Sequence, residues 1–516
     1  MPGDDRRTDG PHTAGLEASL TEVGKDRPEA AVDRRPAGGL LLTACLSTLV
    51  VNANTSAVSI LLPAISEDVG SPISVLQWAV TGYSLVGAAV IVTSGALADV
   101  YGRRKVFILG LVLFVASCVL IGLSNNAAGV IGGRLIQGAA GSTILACGLS
   151  LLTVGSAGQG RMSAVSLWGA ASAVGAAAGP LVGGVLVDFT GWQGLFWIDA
   201  VVAAACIPVT LRSVGESRDP NRPRSIDWLG TVLIAAILAP FILAVSQGSA
   251  WGWTSPATIG CFVVTVAATY GFVVAERRVS APLVDLALLR NKVLVTATVG
   301  ILIGAGTVNG LGFLLSIYFQ DPATLDMSPL AAGLATLPLT AALVATAPLV
   351  VGLAHKFGVR AVVGAGFALS TAGFLVLCFV AGSWTYLAFV VPMVLVAVGL
   401  GLSNGPCSSV ATSAVPADEV GAASGVSNMA RYVGAAVLVA VAAALYGSAG
   451  AADADALADG FSRASLALTV VSAVGIVVAL LAARHRMHRP RAVDYAAAAA
   501  TTTHTVHKVD EVAAAR

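Results

Sequence analysis

The sequence predicts an all-α protein that crosses a membrane about fourteen times, and three observations lead there. Of 516 residues, 56% are hydrophobic and only 11% are charged, with mean hydropathy +0.84, whereas a soluble domain carries about a quarter charged residues. Charge is segregated, because long stretches hold none while the two ends and a few short connectors hold nearly all of it. The apolar stretches are unbroken over lengths that span a bilayer, and lipid leaves an open backbone without hydrogen-bond partners, so about 20 such residues select a helix.

The elements follow in order. Residues 1–37 are polar and rich in Asp, Arg, Pro and Gly, and the first apolar run starts only near Gly38, so this stretch reads as a disordered cytoplasmic tail and not as a cleaved signal. Spans are expected near 39–65, 74–96, 105–123, 127–149, 162–186, 193–211, 227–246, 257–275, 293–318, 328–353, 361–381, 385–411, 420–446 and 464–483. Residues 484–516 open with Arg484, Arg486, Arg489 and Arg491, continue into an Ala/Thr-rich stretch, and read as a second cytoplasmic tail.

The distribution of Lys and Arg tests this path. With the N-terminus inside, 26 of the 29 basic residues fall in the tails or in inward connectors, and the exceptions are Arg134, Arg431 and Arg463. Outward connectors carry Glu67, Asp68, Asp188, Asp321 and Asp326 instead. Basic residues stay on the cytoplasmic side, so the count of spans is even and both termini are cytoplasmic. The seven cysteines stand singly in apolar stretches, which suits membrane-core residues better than disulfides or a metal site. There is no P-loop and no HExxH, so no cofactor, metal or nucleic acid is expected and the chain does not read as an enzyme.

The stretch from Gly95 to Arg104, between the second and third spans, has a weak copy from Leu353 to Arg360, between the tenth and eleventh. Such an echo indicates two duplicated halves. They would be six-helix bundles over 38–212 and 277–483, with an inserted helix pair and linker over 213–276.

Four stretches then carry a family resemblance: Gly95 to Lys105; Gly133-Arg134-Leu-Ile-Gln137-Gly138; Gly175 to Gly184, which includes Gly179, Pro180 and Gly183; and Gln320-Asp321 to Pro338. Over roughly residues 40–480 the chain resembles the fourteen-span drug/proton antiporter branch of the major facilitator superfamily. That resemblance implies proton-driven efflux of small hydrophobic or amphiphilic compounds by alternating access. The protein would be a monomer in a bacterial plasma membrane, with a small-molecule substrate, protons and lipid as its partners. A dedicated exporter of one natural product shares every motif. A proton-coupled nutrient importer is disfavoured by the glycine/proline pattern of span five.

The resemblance also assigns roles. Gly95, Asp99, Gly102, Arg103 and Arg104 would form a latch for the outward-open state; the plainer reading of the basic cluster is a topology anchor at the anionic leaflet. Gly175, Gly179 and Gly183 recur every four residues and share one helix face, where small residues allow backbones to touch, while Pro180 bends the helix. Together with Gly184 this pattern resembles exporters more than importers. Arg134 is a cation inside a span and must find partners, either in proton handling or as a structural group on backbone carbonyls. Asp199 in span six is a carboxyl able to bind and release a proton, or an outer-third residue reached by water. Asn54 stands where the family usually has Asp and cannot titrate, which favours neutral or anionic cargo over bulky dications. Asn54, Gln137, Asn309 and Asn404 are the expected polar contacts of a mainly apolar cavity, unless they only join helices. Arg431 is expected near a span end.

Overall fold

A computed structural model describes residues 37–155, 158–218, 227–279, 282–284, 286, 288–415, 420–448 and 453–484. The two expected tails, Arg222, Arg224 and Glu419 lie outside these residues. Among those described, every regular element is helical: α1 (Ala37–Val69), α2 (Ile73–Leu76), α3 (Trp78–Tyr101), α4 (Arg103–Gly122), α5 (Ala127–Gly155), α6 (Gly158–Thr190), α7 (Gln193–Ser213), α8 (Trp228–Trp251), α9 (Pro256–Glu276), α10 (Lys292–Gln320), α11 (Pro329–Ala335), α12 (Leu337–Phe357), α13 (Val359–Leu377), α14 (Tyr386–Ser413), α15 (Val420–Gly447) and α16 (Ala454–Arg484), with a 3-10 turn at Leu288–Arg290. Thirteen stretches are long and apolar enough to cross a membrane, or fourteen when the two parts of α6 count as one span.

Local chemistry sets several boundaries. Asp227, Ser255, Asn291 and Ser328 cap α8 to α11 by accepting hydrogen bonds from otherwise unpaired backbone N–H groups, and Pro256 and Pro329 follow two of these caps. Gly102 (φ +115°) joins α3 to α4 and Gly358 (φ +84°) joins α12 to α13. Both turns use a backbone region that disfavours side chains, which is a conformational match to the sequence echo. The expected span at 328–353 is divided, because Thr336 ends the short α11 before α12 begins. The last helix starts at Ala454, ten residues before the expected edge, so Arg463 is an exposed residue within α16 and not its first turn.

Close backbone contact, made possible by glycine, organises the bundle. A Cβ on Gly175 would strike the Leu49 carbonyl, and one on Gly179 or Gly183 would meet Ala53 to Ala57, so this face of α6 lies directly on α1. The helix bends by 45° between Ala176 and Ala178. Pro180 is the cause, since its ring excludes the carbonyl four residues earlier. Gly138 fits α5 against the Tyr83 backbone of α3, and Gly434 fits α15 against the Leu302 carbonyl of α10.

At the end away from the chain termini, the first seven helices close on the later ones. The Ser316 hydroxyl donates to the Ser59 carbonyl, and Gln320 Nε2 donates to the Ile60 carbonyl at 3.1 Å. Beside them a Cβ on Gly184 would lie 2.6 Å from the Pro329 carbonyl, and one on Gly333 the same distance from that of Pro180. The α8/α9 pair covers the lateral seam where α3 meets α15: Ile234, Leu238 and Ile242 pack with Leu85, Ala436 and Ala440, and the Thr93 and Thr231 hydroxyls share a 2.5 Å hydrogen bond.

Candidate functional site

Four helices bring the charged interior of the first half to one point. Arg134 on α5 is fully buried, as are Asn54 on α1 and Gln137 one turn further along α5, and Asp199 on α7 is 4% exposed. The guanidinium donates from Nε to the Ala79 carbonyl at 2.8 Å, and from one terminal nitrogen to Asn54 Oδ1 at 2.6 Å and Gln137 Oε1 at 2.5 Å. Its central carbon sits 4.3 Å from the Tyr83 ring centre, a cation–π contact that a dry site strengthens. Asn54 then donates from Nδ2 to Asp199 Oδ2 at 2.7 Å. A neutral amide thus bridges cation and carboxylate, accepting from one and donating to the other. Gln137 in turn donates to Cys118 Sγ at 3.0 Å, and the second terminal nitrogen of Arg134 is buried with no hydrogen-bond partner among the described residues.

Burial matters here because charges in a low-dielectric interior persist only when paired and hydrogen-bonded. Asp199 is enclosed, so the expectation of a residue simply reached by water does not describe this structure. Asn54 and Gln137, expected among the polar cavity contacts, are sealed against Arg134 instead.

A second polar cluster lies between α14 and α15. Arg431 is twelve residues into α15, well away from the span end where the sequence reading put it. It donates to Asn404 Oδ1 at 3.3 Å and Ser408 Oγ at 3.2 Å, both on α14, and it is half-buried. Tyr432, the next residue, packs against Tyr83 with ring centres 6.3 Å apart, so the two clusters are neighbours across the α3/α15 contact. Asn309 stays apart, donating to the Ala305 carbonyl of its own helix at 2.8 Å. A cavity of about 560 Å³ between α3, α8 and α9 is apolar, lined by Trp78, Pro240, Trp251 and Cys261 among others, and holds none of these groups.

The α3/α4 turn forms a third region. Arg103 donates to Asp99 Oδ1 from Nε at 3.1 Å and from a terminal nitrogen at 2.9 Å. Arg104 donates to the Val214 carbonyl and, through its backbone N–H, to Glu216 Oε1, both at 3.1 Å, while the Arg103 N–H reaches the Ser217 carbonyl. Gly102 leaves room for the Glu216 carboxylate, which a Cβ would meet at 2.5 Å; a Cβ on Gly95 would meet nothing within 4 Å. Close approach therefore belongs to Gly102 and not to Gly95. Tyr83, Cys118, Ser408 and Glu216 are not marked by the sequence motifs; the helical spacing of Ser424, Asn428 and Arg431 does mark a polar face of α15.

The model of the Major Facilitator Superfamily matches residues 44–439, and again 297–503. The chain belongs to the major facilitator superfamily. It is similar to the Tetracenomycin C resistance and export protein of Streptomyces glaucescens, 30% identical over 431 residues that cover 82% of this chain and 79% of that one. The Multidrug resistance protein Stp of Mycobacterium tuberculosis is 31% identical over 402 residues, covering 78% and 74%. Among solved structures, a POT family transporter in complex with 5-aminolevulinic acid superposes with a TM-score of 0.65 at 13% identity, over 86% of this chain and 96% of that one. That likeness concerns the fold. The chain is accordingly a multi-pass membrane protein of the major facilitator fold.

Proposed function

We propose that this major facilitator protein exports small hydrophobic or amphiphilic compounds, antibiotics among them, in exchange for protons. It would sit in a bacterial plasma membrane with both termini in the cytoplasm, working as a monomer. The observation that carries the proposal is the sealed Arg134–Asn54–Asp199 chain. A buried carboxylate and a buried arginine, joined through an amide that cannot titrate, form a unit whose charge balance changes by one when Asp199 takes a proton. The protonated acid accepts from Asn54 more weakly, and Arg134 is left as an uncompensated cation. Because these side chains come from α1, α3, α5 and α7, relief requires those helices to shift. The halves over 38–212 and 277–483 would then rock about the cavity, with Gly95, Asp99, Gly102, Arg103 and Arg104 latching the outward-open state and the Gly175 to Gly184 face acting as a hinge surface.

The energies suffice. One proton moving down about 100 mV releases about 2.3 kcal/mol and one pH unit adds about 1.4 kcal/mol. A neutral compound can thereby be held at a gradient on the order of a few hundredfold. Direction is tested with membrane vesicles: inverted vesicles energised with a pH gradient should accumulate a lipophilic dye such as Hoechst 33342, and right-side-out vesicles should not. Accumulation only in right-side-out vesicles would make the protein an importer. A narrower reading, one antibiotic as dedicated cargo, is favoured by the relative that is a resistance and export protein for tetracenomycin C. A resistance panel separates the two: protection against one compound class supports the narrow reading, and protection against several supports the broad one.

A further inference from the structure

The interior of the spans is unevenly charged. Within the membrane-crossing helices Arg134 is balanced by Asp199 through Asn54. Arg431 has no such balance: among the described residues no carboxylate lies within ion-pair distance of it, and its partners Asn404 and Ser408 are neutral. A cation within a span is costly unless it faces water or an anion. Arg431 is half-buried, and its guanidinium is held by neutral partners alone.

The surroundings extend this polar region along two helices. Ser424, Asn428 and Arg431 share one face of α15, while Asn404, Ser408 and Thr412 share one face of α14, and all six are half-buried. The strip starts at Arg431 in the middle of the bundle and runs to the end where α14 finishes and α15 begins. That end is opposite the closed one, where Ser316 and Gln320 bind the α1 backbone. The neighbouring face of α15 is closed, since Tyr432 and Gly425 pack on α3. The result is a half-buried polar strip that runs toward the end where α14 finishes and α15 begins, and that ends at a guanidinium with neutral partners beside the aromatic Tyr432–Tyr83 pair.

We infer that Arg431, oriented by Asn404 and Ser408, is the anion-recognition point of the transport path, and that the preferred cargo is an amphiphile bearing at least one ionised acidic group, a carboxylate or a phenolate. This rests on the transport reading above and narrows its substrate class. The guanidinium offers a planar fork of donors that matches a carboxylate, and the Asn404 and Ser408 bonds pre-orient that fork without spending its charge. The apolar helices and the tyrosine pair suit the remainder of such a molecule. The inference also fits the energetics, because export of an anion against entry of a proton moves charge in the same sense twice, so the membrane voltage drives both.

The test measures binding, which requires neither a gradient nor a transport direction, and so it is independent of whether the coupling proposal holds. Purified full-length protein in nanodiscs is titrated with fluorescein, anionic at pH 8, and with rhodamine 123, a cation of similar size. The unmodified chain should bind fluorescein more tightly. Arg431→Gln should weaken fluorescein binding about tenfold or more while changing rhodamine 123 binding less than about twofold. Arg431→Lys should recover part of the fluorescein affinity, and Asn404→Ala should weaken it less than Arg431→Gln does. Equal losses for both dyes would mean that Arg431 only ties α15 to α14. No change for either, or no fluorescein binding by the unmodified chain, would overturn the inference. Should Arg431→Gln fail to elute as a monodisperse species, the Lys and Asn404→Ala variants decide the matter by the same anion-against-cation comparison.

Discussion

Arg134 and Arg431 are both arginines within membrane-crossing helices, yet their surroundings differ in every respect that matters. Arg134 is fully buried, contacts two other helices and is linked through Asn54 to a carboxylate on a third. Arg431 is half-buried, bonds to one neighbouring helix and has only neutral partners there. A charge sealed with its counter-charge responds to protons and helix movement, whereas a charge left open responds to what enters the cavity. On the proposed reading, coupling and cargo recognition fall to two separate clusters, which touch at Tyr83 and Tyr432.

This contrast can be broken by mutation. Arg134→Ala should have the largest effect, since it leaves Asp199 and Asn54 buried without their cation; a loss of about 3 to 5 kcal/mol is expected, seen as aggregation or a collapsed thermal midpoint on purification. Arg431→Ala removes two hydrogen bonds to neutral partners and strands no buried carboxylate, so it should cost about 1 to 3 kcal/mol in the same thermal assay, less than Arg134→Ala. Comparable losses at both sites would erase the distinction. Asn54→Asp sharpens the coupling side, because it places a second carboxylate beside Arg134. Transport of a dicationic dye should rise relative to the unmodified chain, and an unchanged charge preference would show that position 54 does not set cargo charge. In the α3/α4 turn, Gly102→Ala should cost about 1 to 3 kcal/mol from its positive φ and the adjacent Glu216. Gly95→Ala, with open space around it, should stay within about 0.5 kcal/mol.

Much of the fold was legible because bilayer physics is written along one dimension: helix lengths, charge segregation and the glycine echo all lie within local sequence. Gly175, Gly179 and Gly183 were read as a packing face from spacing alone, and that face lies on α1. Partnerships across the bundle were not legible. Asn54 and Asp199 are 145 residues apart in sequence, and their hydrogen bond depends on how α1 meets α7. Arg431 was assigned to a span end because charge favours edges, whereas Ser424 and Asn428 give it a polar face in mid-helix. The start of α16 lies ten residues before the expected edge for a related reason: Asp455, Asp459 and Arg463 lie on exposed positions of a helix that extends beyond its apolar part. Gly95 shows the converse limit, since its place in a motif did not predict its surroundings.

The most direct test of the coupling account is uphill transport by Asp199→Asn. In proteoliposomes with an imposed pH gradient, the unmodified protein should accumulate dye against its concentration gradient. The variant should still equilibrate dye down a gradient but show no accumulation driven by pH. Undiminished pH-driven accumulation by Asp199→Asn would contradict the account, because the proton would then bind elsewhere than in the sealed Arg134–Asn54–Asp199 chain.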